Sequence, residues 1–101
     1  MSRRTSEAHE RINEEIVREK AAALGRAGER LELALAEVTA VRAAWRAASD
    51  DEARERLATE YARAWRAADA ARLALLIQRE AVGLRDQRVV DQQFPRPPRR
   101  P

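Results

Sequence analysis

The sequence contains no cysteine, and its four prolines all lie within the last seven residues. Without cysteine there is neither a disulfide framework nor a thiolate site, which suits a reducing compartment, so we expect a cytoplasmic protein. Without proline before position 95, no residue with a missing amide interrupts the first 94 positions. Glycine occurs only three times. The scarcity of proline and glycine favours long helices.

Long apolar runs are also missing. The longest, LALLI at positions 73–77, has five residues, whereas a membrane helix needs about 20. No apolar segment follows the charged N-terminus, so we expect no secretory signal and no membrane association. The nineteen Leu, Ile, Val and Phe residues provide a narrow apolar seam but no thick core. Small helical cores of this kind commonly gain buried area by self-association.

Ala, Glu, Lys, Leu and Arg together make up 63 of the 101 residues, a composition typical of long helices and coiled coils. The net charge of +3 comes from the ends, because residues 5–93 hold 15 basic and 17 acidic side chains. A DNA-binding fold is expected to carry its basic stripe on the folded body. We therefore expect no specific nucleic-acid partner. Phosphate binding by the arginine-rich termini remains the alternative.

Apolar residues recur every seven positions from Val17 to Trp45, and this spacing predicts a helix over residues 7–48 after a disordered segment, 1–6. Ser49 followed by Glu52 matches a capping box and predicts a second helix over 50–82. A turn at this point pairs positions whose numbers sum to about 99. The predicted pairs are Leu24 with Leu75, Val38 with Tyr61, and Val17 with Val82. The sequence thus predicts an all-α antiparallel hairpin of two long helices.

Beyond Gly83 the periodicity weakens, and two interpretations stay open. Gly83 either caps the second helix, leaving a short helix over 84–93, or the second helix continues to Gln93. The final segment, 94–101, is rich in Pro and Arg, and we expect it to be disordered. Its P-x-x-P spacing weakly matches ligands of SH3-like grooves.

The second helix carries a further apolar stripe, which a two-helix hairpin leaves uncovered. Either the C-terminal segment or a second copy must cover this stripe, and we favour a homodimer with a four-helix arrangement. The stripe comprises Ala58, Ala62, Trp65, Leu73 and Leu76.

Two side-chain sets are candidate sites. The hairpin register brings a polar layer together, which either fixes the register or forms a site; its members are Glu19, Lys20, Arg79, Glu80, Arg85 and Asp86. Ala21, Gly25 and Gly28 form a stripe of small residues, which favours close helix packing over a kink or a ligand notch.

No catalytic, cofactor or metal site is expected. His9 is the only histidine and no aliphatic hydroxyl lies in a triad-like pattern, so we expect a protein without enzymatic activity. An enzyme that uses the polar layer is the opposing hypothesis.

Two segments resemble a small bacterial helical family, domain of unknown function 6665. The first contains Glu19, Lys20, Leu24, Gly25 and Arg26, and the second runs from Gln78 through Gly83 to Asp86. The resemblance implies a short helical protein and a shared polar layer, and supplies no activity. Our leading hypothesis is a structural or protein-interaction module that acts as a homo-oligomer.

Overall fold

The computed structural model describes residues 2–101 and contains three α-helices. Helix α1 spans Arg3–Ala47, α2 spans Asp51–Ala81 and α3 spans Arg88–Gln93. The two long helices pack against each other, and the described chain contains no strand. The predicted all-α hairpin with a short C-terminal helix is therefore confirmed.

Helix α1 begins earlier than predicted. Ser2 caps it, accepting a hydrogen bond at Oγ from the Thr5 amide at 3.3 Å. A side-chain acceptor at this position satisfies an amide that has no partner within the helix. Residues 3–6, expected to be disordered, are thus helical, and Met1 lies outside the described residues.

The turn between α1 and α2 falls where the acidic cluster predicts it, but a different residue caps α2. Asp50 is the N-cap, and its Oδ1 accepts from the Ala53 amide at 2.8 Å. Ser49 lies just outside the helix, so the capping box of Ser49 and Glu52 is wrong by one position. Asp51 and Glu52 occupy the first turn, where the helix dipole favours negative charge.

The seam between the helices contains two apolar clusters. One cluster buries Val38 and Tyr61 together, and Leu24 packs against the other, which contains Leu75. Both pairs were predicted from the sum of about 99, and both lie in shared clusters. The seven-residue pattern of α1 thus faces α2 over the middle of the hairpin.

The predicted contact of Val17 with Val82 is wrong. Val17 is 66% exposed and belongs to neither cluster, because α2 ends at Ala81 while α1 runs on past it. Residues 3–22 are all exposed, and we call this segment the α1 extension. The molecule consequently measures 74 × 21 × 15 Å.

A glycine ends α2. Gly83 has φ +85°, and its amide donates to the Glu80 carbonyl at 2.9 Å, while the Leu84 amide donates to the Arg79 carbonyl at 2.9 Å. This paired arrangement is the Schellman motif, which needs a left-handed residue that glycine supplies at least cost. Of the two open interpretations, the cap is therefore the correct one, and the short helix begins at Arg88 instead of residue 84.

Helix α3 returns to the hairpin and packs on the seam. Val90 is 2% exposed and shares a cluster with Ala27, Leu31 and Leu75. Within the described residues, none of the helices combines the length and the apolar character that crossing a bilayer requires.

Candidate interaction surfaces

The C-terminal tail, residues 95–101, lies along α2 in extended form. The Tyr61 hydroxyl donates to the carbonyl of Pro98, and the Trp65 Nε1 donates to the carbonyl of Pro97 at 3.2 Å. Proline lacks an amide hydrogen, so a proline-rich segment cannot complete a regular backbone ladder. Side chains of α2 supply the donors instead, and we call Tyr61, Trp65 and Arg72 the donor face.

Arg72 holds the junction between α3 and the tail. Its side chain is 3% exposed; Nη1 donates to Asp91 Oδ1 at 3.0 Å and Nη2 to the Phe94 carbonyl at 2.6 Å. Burial lowers the pKa of Arg72, and nearby Arg96 lowers it further, while Asp91 and Asp69 raise it. A buried guanidinium is tolerated where its donors are satisfied in this way.

Arginines of the tail contact α2 as well. Arg96 pairs with Asp69 at 3.6 Å, and the Arg99 guanidinium lies 5.0 Å from the centroid of the Trp65 ring. Arg54 lies similarly over Trp45, at 5.3 Å, beside the helix turn. Cation–π contacts of this kind favour arginine over an uncharged residue.

The tail is therefore ordered, contrary to the sequence-based prediction of disorder over 94–101. The difference arises because α2 provides donors to carbonyls that the tail cannot satisfy itself. The tail also contacts Trp65 of the apolar stripe of α2, and its last three residues line an open groove together with Ala58 and Ala62. Of the two ways to cover this stripe, the C-terminal segment accounts for Trp65, whereas Leu73 remains 59% exposed.

The predicted polar layer comes together only in part. Arg79 Nη2 donates to the Asp86 carbonyl at 3.2 Å, and Arg79, Glu80 and Arg85 line one cavity with Leu73, Leu76, Ile77, Leu84 and Gln87. Asp86 binds Arg88 through its carboxylate. Glu19 and Lys20 lie in the α1 extension, where they form no ion pair with any of residues 2–101. The layer therefore does not close between the helices.

Close packing at Ala21, Gly25 and Gly28 is not seen. A Cβ built at Gly25 or Gly28 meets no heavy atom within 4 Å outside its own helical backbone. Both glycines instead line an open groove of about 450 Å³ beside α3, with Ala21 at its edge. These small residues therefore border an open groove and not a close helix contact.

The α1 extension exposes three large β-branched side chains. Ile12, Ile16 and Val17 are 54%, 43% and 66% exposed. Ile12 and Ile16 are one helical turn apart and share a face with Ala8. The extension carries five basic and five acidic side chains, so it has no net charge to repel a second copy.

His9 is exposed within the same extension. Over positions 2–101, no cluster of three or more His, Cys, Asp or Glu residues is placed to bind a metal ion.

The sequence analysis did not identify Arg72 and Asp69 as contacts of the C-terminal segment, nor the hydrogen bond from Tyr61. Arg72 lies four positions after Ala68 and three before Leu75, in phase with the seam. That phase was the available signal. No such signal exists for Asp69 or for the hydrogen bond from Tyr61. Apolar periodicity does not indicate which distant residues a side chain contacts.

The chain matches no protein-family model, no curated protein and no solved structure. The resemblance of residues 19–35 and 77–97 to domain of unknown function 6665 therefore stays a prediction.

Proposed function

We propose that this chain is a non-enzymatic protein-interaction module of the cytoplasm that self-associates through the α1 extension. The observation that supports the proposal is the exposure of Ile12, Ile16 and Val17 on a 20-residue segment of α1 in which every residue is exposed. Helices gain most of their stability from packing an apolar face, so an unpacked face of this length favours a partner.

A second copy fits this face. An antiparallel pairing that places Ile12 opposite Ile16 of the other copy repeats each contact twice, as a twofold axis requires. The same register brings His9 opposite Glu19, a pair of complementary character. The extension is about 30 Å long, which offers several helical turns for pairing.

The test replaces both isoleucines with glutamate, as Ile12→Glu with Ile16→Glu. We expect the wild-type chain to be dimeric by light scattering at micromolar concentration and the double variant to be monomeric. Leu33→Glu is the matched control, because Leu33 is 71% exposed on α1 but lies outside the extension. A monomeric wild-type chain, or a dimer that survives the double substitution, contradicts the proposal.

Nucleic-acid binding through the arginine-rich termini has less support. Arg96 and Arg99 already contact Asp69 and Trp65, and Arg3 pairs with Glu7 at 3.5 Å. Contacts within the chain reduce the charge available for phosphate. If this function operates, binding falls steeply with salt and disappears when residues 95–101 are deleted.

A further inference from the structure

We propose that the donor face of α2 is a recognition site for extended proline- and arginine-containing segments. In this chain its own tail fills the site, and a partner protein that carries such a segment displaces the tail. This inference is independent of the α1 extension, since it concerns another surface. It rests on how the tail is held.

The donor face binds the main-chain carbonyls of two consecutive prolines. Tyr61 and Trp65 are one helical turn apart, and their donors meet the carbonyls of Pro98 and Pro97 in turn. Proline at both positions fixes φ near −65° and raises the extended population of the residue before it. Such a segment loses little conformational freedom on binding, which is why aromatic-lined grooves select it.

The tail runs antiparallel to α2, because its successive carbonyls meet donors that lie progressively nearer the start of the helix. From Arg72 to Tyr61 the helix rises about 16.5 Å, at about 1.5 Å per residue. The four residue steps from the Phe94 carbonyl to the Pro98 carbonyl span about 12 Å, at about 3.1 Å per residue in polyproline geometry. The difference of about 4 Å lies within the reach of the long donor side chains, so three donors on one face of α2 contact the extended segment.

Arginine is selected by two further groups. Asp69 pairs with Arg96 before the prolines, and the Trp65 ring lies beneath Arg99 after them. The same indole therefore donates through Nε1 and stacks through its face. The preferred ligand is an Arg-Pro-Pro-Arg core, which is the chemistry that a competing segment must reproduce.

The tail is held at the surface, so a competitor can replace it. Within residues 95–101 only Pro97 and Pro101 are partly buried, and the other five residues are exposed. A ligand tethered to its own site lowers the apparent affinity for a competitor in proportion to its occupancy. The tail acts in this way as an internal inhibitor of its own site.

The test uses the full chain in two forms and a fluorescent peptide with the sequence of residues 94–101. One form is wild type; the other carries Pro97→Gly and Pro98→Gly, which loosen the tail and leave α3 intact. We expect the peptide to bind the loosened chain at least tenfold more tightly than the wild type. A control peptide with all four prolines replaced by alanine keeps the charge and should bind at least fivefold more weakly.

Two conservative substitutions connect this binding to the donors. Tyr61→Phe and Trp65→Phe, made in the loosened chain, each remove one donor and should weaken peptide binding about fivefold. Circular dichroism of each variant confirms that the helices persist. Equal binding to both forms, indifference to both substitutions, or equal binding of the alanine peptide would overturn the proposal.

Exchange of tails between copies is a separate outcome. If labelled wild-type chain binds the loosened chain as tightly as the free peptide does, the tail of a second copy is the occupant, and the assignment to a partner protein is overturned. If the labelled chain binds at least tenfold more weakly than the peptide, its tail stays on its own α2, as proposed.

Discussion

Arg72 of α2 and Asp91 of α3 form the ion pair that fastens the C-terminal helix to the hairpin, with Nη1 3.0 Å from Oδ1. The two partners are unequal, because Arg72 is 3% exposed and Asp91 is 62% exposed. Arg72 also donates to the Phe94 carbonyl, so one side chain positions both α3 and the start of the tail.

Replacing Arg72 with alanine should lower the free energy of unfolding by about 2–3 kcal/mol, because two charge-assisted hydrogen bonds and the packing of a buried stem are lost. Asp91→Asn should cost less than about 1 kcal/mol, since the pair is exposed on that side. Urea denaturation followed by circular dichroism measures both. Equal costs for the two variants would contradict the unequal burial.

The glycines of α1 offer a prediction with its own control. Gly25→Ala and Gly28→Ala should each stabilise the fold by about 0.5–1 kcal/mol, because an added Cβ meets no atom within 4 Å and helix propensity improves. Gly83→Ala should instead destabilise by about 1 kcal/mol or more, because its φ of +85° disfavours any side chain. Thermal melts of the three variants separate the two cases. Destabilisation by Gly25→Ala would restore the close-packing interpretation.

The cap of α2 predicts different costs for two adjacent polar residues. Asp50→Ala should lower stability by about 1 kcal/mol, because the Ala53 amide loses its acceptor. Ser49→Ala should leave the free energy of unfolding nearly unchanged, because Ser49 lies outside the helix. Chemical denaturation of the two variants decides between the observed cap and the predicted one.

The connection between α2 and α3 should respond to acid. Hydrogen bonds from the Arg88 side chain, and then from its amide, lower the pKa of Asp86 below its ordinary value. Because the folded pKa is the lower one, the stabilisation is complete above the unfolded pKa, about 4, and is lost as pH falls through the folded pKa. A carboxyl NMR titration should show the Asp86 pKa rising towards its ordinary value in Arg88→Ala. Arg85→Ala serves as control and should leave this titration unchanged.

The sequence predicted the middle of the hairpin and failed at its ends, for physical reasons. Leu24, Leu75, Val38 and Tyr61 could be paired because apolar spacing records which side of a helix is buried. The prediction that Val17 pairs with Val82 assumed that α2 stays helical through Val82. The Schellman motif instead ends α2 at Ala81, before that position.

The tail could not be predicted from the same signals. Its position depends on side-chain donors that meet carbonyls more than 30 positions away, as with Tyr61 and Pro98. Composition predicts an extended backbone here, and an extended backbone without internal hydrogen bonds resembles disorder. Within the predicted polar layer a hydrogen bond joins Arg79 and Asp86, whereas Glu19 and Lys20 are exposed and form no ion pair with any of residues 2–101.

An extended segment ordinarily finds its hydrogen bonds at the edge of a sheet, where unpaired main-chain groups are offered to any neighbour. A helix has no such edge, because its amides and carbonyls are hydrogen-bonded to one another within the helix. In this molecule the donor face supplies the hydrogen-bond donors that an edge strand would otherwise provide. Attachment of the tail therefore depends on three side chains and not on main-chain pairing, so a conservative substitution such as Trp65→Phe can remove one hydrogen bond while leaving the backbone of α2 in place.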